Sequence, residues 1–135
     1  MGKKVRLDEA RAVRILLVDD DPVICSLGRE ILEHLGYRVE VAREGLEALR
    51  LYGENGGADL VILDFYLPGP NGLKVLKELK VMDPGARVLF ASGFFGPQDL
   101  DRLRGEGASG LIRKPFRVAE LQTQIRLALA EAPGF

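Results

Sequence analysis

The chain has 135 residues, of which 47% are hydrophobic and 29% are charged, and its formal net charge is -1. This size and balance are typical of one compact domain, and they exclude a strongly basic nucleic-acid-binding protein. No apolar run approaches the roughly 20 residues that span a membrane, and the first residues lack the apolar stretch of a secretory signal. We therefore expect a cytoplasmic protein with no membrane partner and no direct nucleic-acid partner.

The first strand and helix are predicted between residues 14 and 36. Residues Arg14–Val18, four of them apolar, have the length and composition of a strand. Pro22 can begin a helix because the N–H groups of the first turn have no partner within the helix, so the missing N–H of proline costs nothing there. Asp21 is a good N-cap. Gly36 is expected to end this helix. The apolar positions that recur at helical spacing are Ile24, Leu27, Ile31 and Leu35.

The second and third strands follow at regular intervals. Residues 37–42 alternate like a strand, and residues 44–53 have a helical pattern. The apolar run 60–63 ends at Asp64, and a run that is apolar on both faces suits the interior of a parallel sheet. Asp64 is therefore predicted at a carboxyl end, where ligands bind in open α/β sheets. The apolar face of the second helix carries Leu46 and Leu49.

The rest of the chain continues this alternation. The remaining elements are a helix over 72–81, a strand over 87–91, a short helix around Leu100, a strand over 111–113 and a last helix around Ile125. Five strands that are each followed by a helix predict an α/β fold with a doubly wound parallel sheet. The domain boundaries that we expect are residues 1–13 for an N-terminal extension, 14–132 for the folded domain and 133–135 for a C-terminal tail.

Polar side chains follow four of the predicted strands, and we expect them to face one crevice. They are Asp19 and Asp20 after the first strand, Asp64 after the third, Ser92 after the fourth and Lys114 after the fifth. Three carboxylates this close would repel one another, so either one is protonated or a cation lies among them. Mg²⁺ is the natural candidate because it prefers hard oxygen ligands. Lys114 and Ser92 could help to neutralise a phosphoryl group, and the Asp64 carboxylate could attack phosphorus to form an aspartyl phosphate.

In these residues the sequence resembles the receiver domains of two-component response regulators, including the free-standing chemotaxis type. The motifs are Leu-Leu-Val-Asp-Asp-Asp at 16–21, Leu-Val-Ile-Leu-Asp at 60–64, Pro68-Gly69, Asn71-Gly72, Ser92-Gly93 and Lys114-Pro115-Phe116. The resemblance covers nearly the whole chain and implies a flavodoxin-like (βα)5 fold with strand order 2-1-3-4-5. It also implies a signalling phosphoprotein, not an enzyme, that takes its phosphoryl group from a sensor histidine kinase or a phosphotransfer protein.

The resemblance assigns roles to the site residues. The implied ligands of Mg²⁺ are Asp20 directly, Asp19 mainly through water, the Asp64 carboxylate and the Tyr66 backbone carbonyl. Lys114 would contact the phosphoryl oxygens, and its peptide bond to Pro115 would be cis, which proline tolerates in tight turns. Ser92 would move toward a phosphoryl oxygen and draw the following loop and the fourth helix with it.

The implied output surface consists of the fourth helix, the fifth strand and the fifth helix. Such receivers form homodimers or meet their downstream targets there, and this chain's target is unknown. Leu111 lies in the fifth strand, where the family often carries an aromatic rotamer switch, so an aromatic toggle is impossible at that position. Phe94 and Phe95 either signal instead or are loop residues that cover the core.

Two bulky residues bear on the lifetime of the phosphorylated state. Tyr66 is two residues after the acceptor and Phe94 is two residues after Ser92, so both would flank the path of an attacking water. Neither offers an acid or an amide that could orient the water. We hypothesise that autodephosphorylation takes minutes to hours, not seconds.

Three other functions compete with a regulator that acts through a partner. The chain could be the receiver module of a hybrid histidine kinase, or a pseudo-receiver that works without phosphorylation. A Mg²⁺-dependent phosphatase of the haloacid-dehalogenase type also uses an aspartate at a strand end. That family needs a second acid two residues later, where this chain has Tyr66, so the general acid would be missing.

Three further features have simple structural interpretations. Residues 105–110 spell G-x-G-x-x-G, but the run follows a helix and enters a strand, which predicts a turn instead of a dinucleotide site. His34 is the sole histidine and is expected to be a surface or boundary residue, not a phosphorelay histidine. Cys25 is the sole cysteine, so it cannot form an internal disulfide, and we expect a small buried hydrophobic residue.

Overall fold

The structure is a computed structural model that describes residues 12–96 and 98–130. The strands are β1 (Arg14–Val18), β2 (Arg38–Ala42), β3 (Leu60–Asp64), β4 (Val88–Ser92) and β5 (Gly110–Arg113). The helices are α1 (Pro22–His34), α2 (Gly45–Glu54), α3 (Gly72–Met82), α4 (Asp99–Gly105) and α5 (Val118–Ala130). The predicted tail at 133–135 and all but residues 12 and 13 of the predicted N-terminal extension lie outside the described residues.

The five strands form one parallel sheet in the order β2-β1-β3-β4-β5, which confirms the predicted fold. Every residue of the central strands β3 and β4 is buried, whereas the edge strands β2 and β5 contain both buried and accessible residues. This pattern follows from the crossover helices, which cover both faces of the sheet and leave water access only at its edges.

Two apolar clusters pack on opposite faces of the sheet. Leu16 and Val18 of β1 belong to the cluster formed with α2, α3 and α4, whereas Ile15 and Leu17 belong to the cluster formed with α1 and α5. The alternation along one strand therefore divides the core into two layers. No helix in the described part of the chain has both the length and the apolar character needed to cross a membrane.

The helix termini agree with those predicted, but one residue of each of two predicted apolar faces was wrong. Asp21 Oδ1 accepts a hydrogen bond from the backbone N–H of Val23 at 2.8 Å, which confirms the N-cap of α1. Leu27 is 41% exposed and Leu46 is 62% exposed, although both were assigned to apolar faces. The buried residues of these helices are instead Cys25, Gly28 and Leu32 in α1, and Gly45, Ala48 and Tyr52 in α2.

Glycines explain the difference, because they let each of these helices lie close to a neighbouring element. A Cβ atom on Gly28 would lie 2.8 Å from Leu17 Cδ2, and one on Gly45 would lie 2.6 Å from Val75 Cγ2. Hydrophobic periodicity marks large apolar side chains and gives no weight to a glycine that packs by having no side chain.

Candidate functional site

The three predicted acids meet at the carboxyl end of the sheet. Carboxylate oxygens of Asp19, Asp20 and Asp64 all lie within 4.8 Å of one another. Asp19 is 1% exposed and Asp64 is 5% exposed, whereas Asp20 is open to solvent. The strand register produces this convergence, because Val18 of β1 pairs with Leu63 of β3, and Asp19 and Asp64 are the next residues along the chain.

Lys114 inserts its ammonium group between the two buried acids. Its Nζ donates a hydrogen bond to Asp19 Oδ2 at 2.8 Å and lies 3.3 Å from Asp64 Oδ2. The Lys114 backbone N–H donates to the Ser92 carbonyl at 2.9 Å, which ties the residue after β5 to the end of β4. The Lys114–Pro115 peptide bond is cis, as the family resemblance implied.

Backbone N–H groups hold the other oxygen of each buried carboxylate. Asp19 Oδ1 accepts from the Asp21 N–H at 2.9 Å, and Asp64 Oδ1 accepts from the Tyr66 N–H at 3.0 Å. Both carboxylates are therefore held at both oxygens, by a backbone amide on one side and by the lysine on the other. The Asp20 carboxylate makes no hydrogen bond or ion pair with any residue of the described ranges.

The electrostatics of the site favour the binding of an additional cation. Burial raises the pKa of the Asp64 carboxyl, the negative charge of Asp19 raises it further, and the Tyr66 N–H and Lys114 only partly oppose this. Burial alone would lower the pKa of Lys114, but its contacts with Asp19 and Asp64 outweigh burial, and that pKa is raised. Three carboxylates face one ammonium group, so the cluster has an excess of negative charge.

This donor set fits a magnesium ion. Mg²⁺ prefers carboxylate oxygens, keeps several waters and is bound by one or two acids from the protein. Asp20 supplies an unpartnered, solvent-facing carboxylate beside two fixed buried ones, so Asp19, Asp20 and Asp64 could hold such an ion at the mouth of the crevice. The carboxylate cluster and Lys114 were thus correctly brought together from sequence.

Ser92 lies beside the cluster of acids, but its hydroxyl forms hydrogen bonds with Phe94, two residues later in the chain. The residue is 2% exposed and ends β4, one position beyond the residue that pairs with Asp64. Its Oγ accepts a hydrogen bond from the Phe94 N–H at 3.1 Å. Among the contacts of the described chain, this hydroxyl bonds only to Phe94 and not to a carboxylate.

Two aromatic side chains stand exposed near the crevice. Tyr66 is 59% exposed and follows Asp64 by two residues, and Phe94 is 81% exposed and follows Ser92 by two residues. The Tyr66 N–H bonds to Asp64, so this residue's backbone is close to the acceptor. The proposed metal ligand, the Tyr66 carbonyl, remains a prediction.

Sequence reasoning missed three supports of the site. The Cys25 thiol donates to the Asp19 carbonyl at 3.1 Å, and Arg43 donates to the Asp20 carbonyl through Nε at 3.3 Å. The third is Gly72, whose N–H donates to the Phe65 carbonyl at 3.0 Å. These contacts end on backbone carbonyls, which leave no pattern of residue types in the sequence, although Gly72 belongs to the Asn71-Gly72 motif quoted for the family resemblance.

Substitution of Gly72 by alanine is expected to displace the acceptor strand end. A Cβ atom there would lie 2.7 Å from the Asp64 carbonyl oxygen and 2.8 Å from Phe65 Cα, and backbone cannot rotate away as a side chain can. We expect Gly72→Ala to lower the free energy of unfolding by about 2 kcal/mol. Gly105→Ala is the control, because no atom outside its chain neighbours and its own helix backbone lies within 4 Å of a Cβ there. Equal urea midpoints for the two variants would contradict this prediction.

Comparison with known proteins identifies the class to which this fold and site belong. The family model of the response regulator receiver domain matches residues 15–126 of this sequence. The chain therefore belongs to the receiver domain family of response regulators, in which the acidic pocket that binds Mg²⁺ corresponds to the Asp19, Asp20 and Asp64 cluster.

Named relatives cover most of this chain. Transcriptional regulatory protein CpxR of Klebsiella pneumoniae is 40% identical over 119 residues, which are 86% of this chain and 49% of that protein. Sensor kinase CckA of Brucella abortus is 31% identical over 120 residues, which are 88% of this chain and 13% of that protein. The crystal structure of the CheX-CheY-BeF3-Mg+2 complex from Borrelia burgdorferi superposes with a TM-score of 0.83 at 25% identity, covering 88% of this chain and 90% of that one. The chain spans about half of CpxR and a smaller part of CckA.

Proposed function

We propose that the chain is a phosphoacceptor switch in which Asp64 takes a phosphoryl group from a histidine kinase or a phosphotransfer protein. The observation that carries this proposal is the buried Asp64 carboxylate, which contacts the ammonium group of Lys114 and lies within 4.8 Å of carboxylate oxygens of Asp19 and Asp20. In the transfer an Asp64 oxygen forms a bond to phosphorus, the bond from phosphorus to the donor imidazole nitrogen breaks, and its electron pair stays on that nitrogen.

Each residue has a distinct task in this reaction. The Tyr66 N–H holds Asp64 Oδ1 and so fixes the orientation of the nucleophilic carboxylate. Lys114 is close enough to Asp64 Oδ2 to contact oxygens of an incoming phosphoryl group and to balance their charge. When bound by Asp19, Asp20, Asp64 and the Tyr66 carbonyl, Mg²⁺ would neutralise the excess negative charge that otherwise opposes an anionic phosphoryl group.

Ser92 is proposed to convert phosphorylation into a change of the loop after β4. Its hydroxyl is bonded to the Phe94 N–H in the unphosphorylated protein. The same hydroxyl donates to the Phe94 carbonyl at 3.4 Å. A phosphoryl oxygen on Asp64 would compete with this carbonyl for the hydroxyl proton, because a hydrogen bond to a charged oxygen is stronger than one to a neutral group. Exchange of the partner would free the start of the loop that leads to α4.

The proposed output surface consists of α4, β5 and α5. A groove of about 280 Å³ lies on it, with Phe95, Leu100 and Leu111 as its apolar part and Arg104 and Arg113 among its charged residues. We propose that a target protein, or a second copy of the chain, meets this surface. The cytoplasmic location and the boundaries of the receiver domain at residues 14–132 belong to the same proposal.

Alternatives differ in what surrounds the receiver or in whether phosphorylation occurs. The similarity to sensor kinase CckA supports a receiver module within a hybrid kinase as the second candidate. A pseudo-receiver would keep the fold without accepting a phosphoryl group, and an aspartyl phosphatase would turn over phosphate esters. The chain lacks the second acid that such a phosphatase needs, since Tyr66 occupies that position.

Binding of beryllofluoride tests the proposal, because this anion takes the place of a phosphoryl group. We expect tight binding that requires Mg²⁺ and disappears in Asp64→Ala, and no turnover of a generic phosphate ester. A wild-type protein that binds no beryllofluoride would favour the pseudo-receiver. Steady release of phosphate from the ester would favour the phosphatase.

Slow autodephosphorylation is expected from the residues around the crevice. Tyr66 and Phe94 are large, and neither carries an acid or amide that could orient a water molecule for attack on phosphorus. The phosphorylated protein with Mg²⁺ should have a half-life of minutes to hours. Tyr66→Asn should shorten this half-life several-fold, whereas Tyr66→Phe should not. The half-life is measured from the rate at which Asp64 loses its label. A value of a few seconds for the wild-type protein would contradict the prediction.

A further inference from the structure

A chain of aromatic contacts leads from the acceptor to the output surface. The ring of Phe65, the residue after Asp64, lies 5.3 Å from the ring of Phe90 and 6.2 Å from the ring of Phe95, measured between centroids. The interplanar angles are 82° and 63°, so both are edge-to-face contacts. Phe95 in turn lines the groove on the output surface together with Leu111.

The inner end of this chain of contacts is fixed. Phe90 lies in β4, is 0% exposed and packs in the core. The Phe65 N–H donates to the Ala91 carbonyl at 3.0 Å, so the Phe65 backbone is hydrogen-bonded to β4. The Phe65 backbone is therefore tied to the core, whereas Phe95 lies in a loop, so we assign the rearrangement to the outer ring.

The outer end is held by weaker restraints. Phe95 is half-buried, and it follows Ser92 by three residues in the loop between β4 and α4. The start of that loop is held by the hydrogen bond from the Phe94 N–H to the Ser92 hydroxyl. If this hydrogen bond were lost, the contact with the Phe65 ring would be the main interaction that still restrains the Phe95 ring.

The groove has room for a change in the position of this ring. Leu111 is half-buried and packs, like Phe95, against the core cluster that contains Phe90. The groove beside it has a volume of about 280 Å³. A Phe95 ring that turns on Phe65 would change the shape of the groove without any aromatic residue in β5.

We propose that the contact between Phe65 and Phe95 couples the Asp64 site to the groove, so that Phe95 is the residue whose position reports phosphorylation on the output surface. This inference rests on the proposed function, because it needs an Asp64 site that accepts a phosphoryl group or its analogue. It assigns a positioning role to Phe65 and a switching role to Phe95. Coupling of this kind requires that one element has two arrangements that both sites influence, and here the element is the Phe95 ring.

Methyl NMR of Leu111 tests the coupling directly. The full chain is labelled with ¹³C at leucine methyl groups and saturated with Mg²⁺ and beryllofluoride, which is not hydrolysed, so phosphoryl lifetime does not affect the result. In the wild-type protein we expect the Leu111 methyl signals to shift on saturation. Phe95→Leu should lose most of this shift while still binding beryllofluoride.

Two further variants separate coupling from local damage. Phe65→Leu changes no residue of the groove, yet it should also lose most of the Leu111 response. Phe94→Leu makes the same chemical change at a ring that is 81% exposed, and its Leu111 response should equal that of the wild-type protein.

The possible outcomes distinguish this inference from the function on which it rests. A wild-type protein that does not bind beryllofluoride would overturn the proposed function and the coupling with it. A protein that binds the anion without any Leu111 shift would overturn the coupling alone. A full shift in Phe65→Leu or in Phe95→Leu would also overturn it, and so would an equal loss in Phe94→Leu.

Discussion

Lys114→Ala should destabilise the protein more than any other single substitution of a charged side chain in the described ranges, and Mg²⁺ should reverse much of the loss. The Asp19 and Asp64 side chains are only 2% and 6% exposed, and Lys114 is the one cation that the described structure places between them. Removing one partner of a buried ion pair leaves an uncompensated charge and costs about 3 kcal/mol. We expect that decrease in the free energy of unfolding, measured by urea denaturation without a divalent ion.

The pH dependence of this variant provides a second measurement. The Asp64 carboxyl already has a raised pKa in the wild-type protein because of burial and the charge of Asp19, and loss of Lys114 raises that pKa further. A carboxyl whose pKa is higher in the folded state than in the unfolded state favours folding when it is protonated. The stability difference between Lys114→Ala and the wild-type protein should therefore shrink as the pH is lowered.

Lys77→Ala is the matched control. Lys77 lies 3.9 Å from Glu106, and their side chains are 60% and 38% exposed, so this surface pair contributes little to stability. Its free energy of unfolding should stay within about 0.5 kcal/mol of the wild-type value and should not respond to Mg²⁺ differently from the wild type. Equal stabilities of Lys77→Ala and Lys114→Ala would contradict the buried charge cluster.

Asp20→Asn should weaken Mg²⁺ binding strongly without harming the fold. The Asp20 carboxylate is exposed and makes no hydrogen bond or ion pair within the described ranges, so its removal leaves no buried group unpaired. The substitution also relieves repulsion from Asp19 and Asp64. We expect Mg²⁺ affinity, measured by calorimetric titration, to fall on the order of 100-fold, because affinity for such hard cations depends on the number of charged ligands.

The neighbouring acid offers a control for this experiment. Asp21→Asn removes the same charge one residue later, and asparagine caps a helix about as well as aspartate. The Asp21 carboxylate bonds to the N–H of Val23 and is not part of the cluster of acids. Its variant should lose only a small part of the Mg²⁺ affinity. A similar loss in both variants would indicate a diffuse electrostatic effect and would contradict the assignment of Asp20 as a ligand.

The parts of the fold that were predicted from sequence are those that local patterns determine. An unbroken apolar run marks a strand buried on both faces, as in β3, and the Asp21-Pro22 pair marks the start of α1. The convergence of Asp19, Asp64 and Lys114 followed from the rule that parallel strands end at one edge of the sheet. The cis bond before Pro115 was implied by family resemblance and not by the residues themselves.

The parts that were not predicted depend on contacts between distant segments. Leu27 and Leu46 are exposed because glycines allow α1 and α2 to lie close to their neighbours, and a glycine gives no hydrophobic signal. The hydrogen bond from the Phe94 N–H to Ser92 could not be anticipated, since the serine was expected to face the crevice. The sequence does not decide whether Phe94 and Phe95 signal or cover the core. In the structure the Phe94 ring is exposed and the Phe95 ring is half-buried.

Labelling of the purified protein by acetyl phosphate tests the central claim most directly. Incubation with Mg²⁺ should add one phosphoryl group, and peptide mapping by mass spectrometry should place it on Asp64. Asp64→Asn should remain unlabelled while keeping its fold by circular dichroism, and removal of Mg²⁺ should suppress labelling of the wild-type protein. An unlabelled wild-type protein, or a label that persists in Asp64→Asn, would contradict the account.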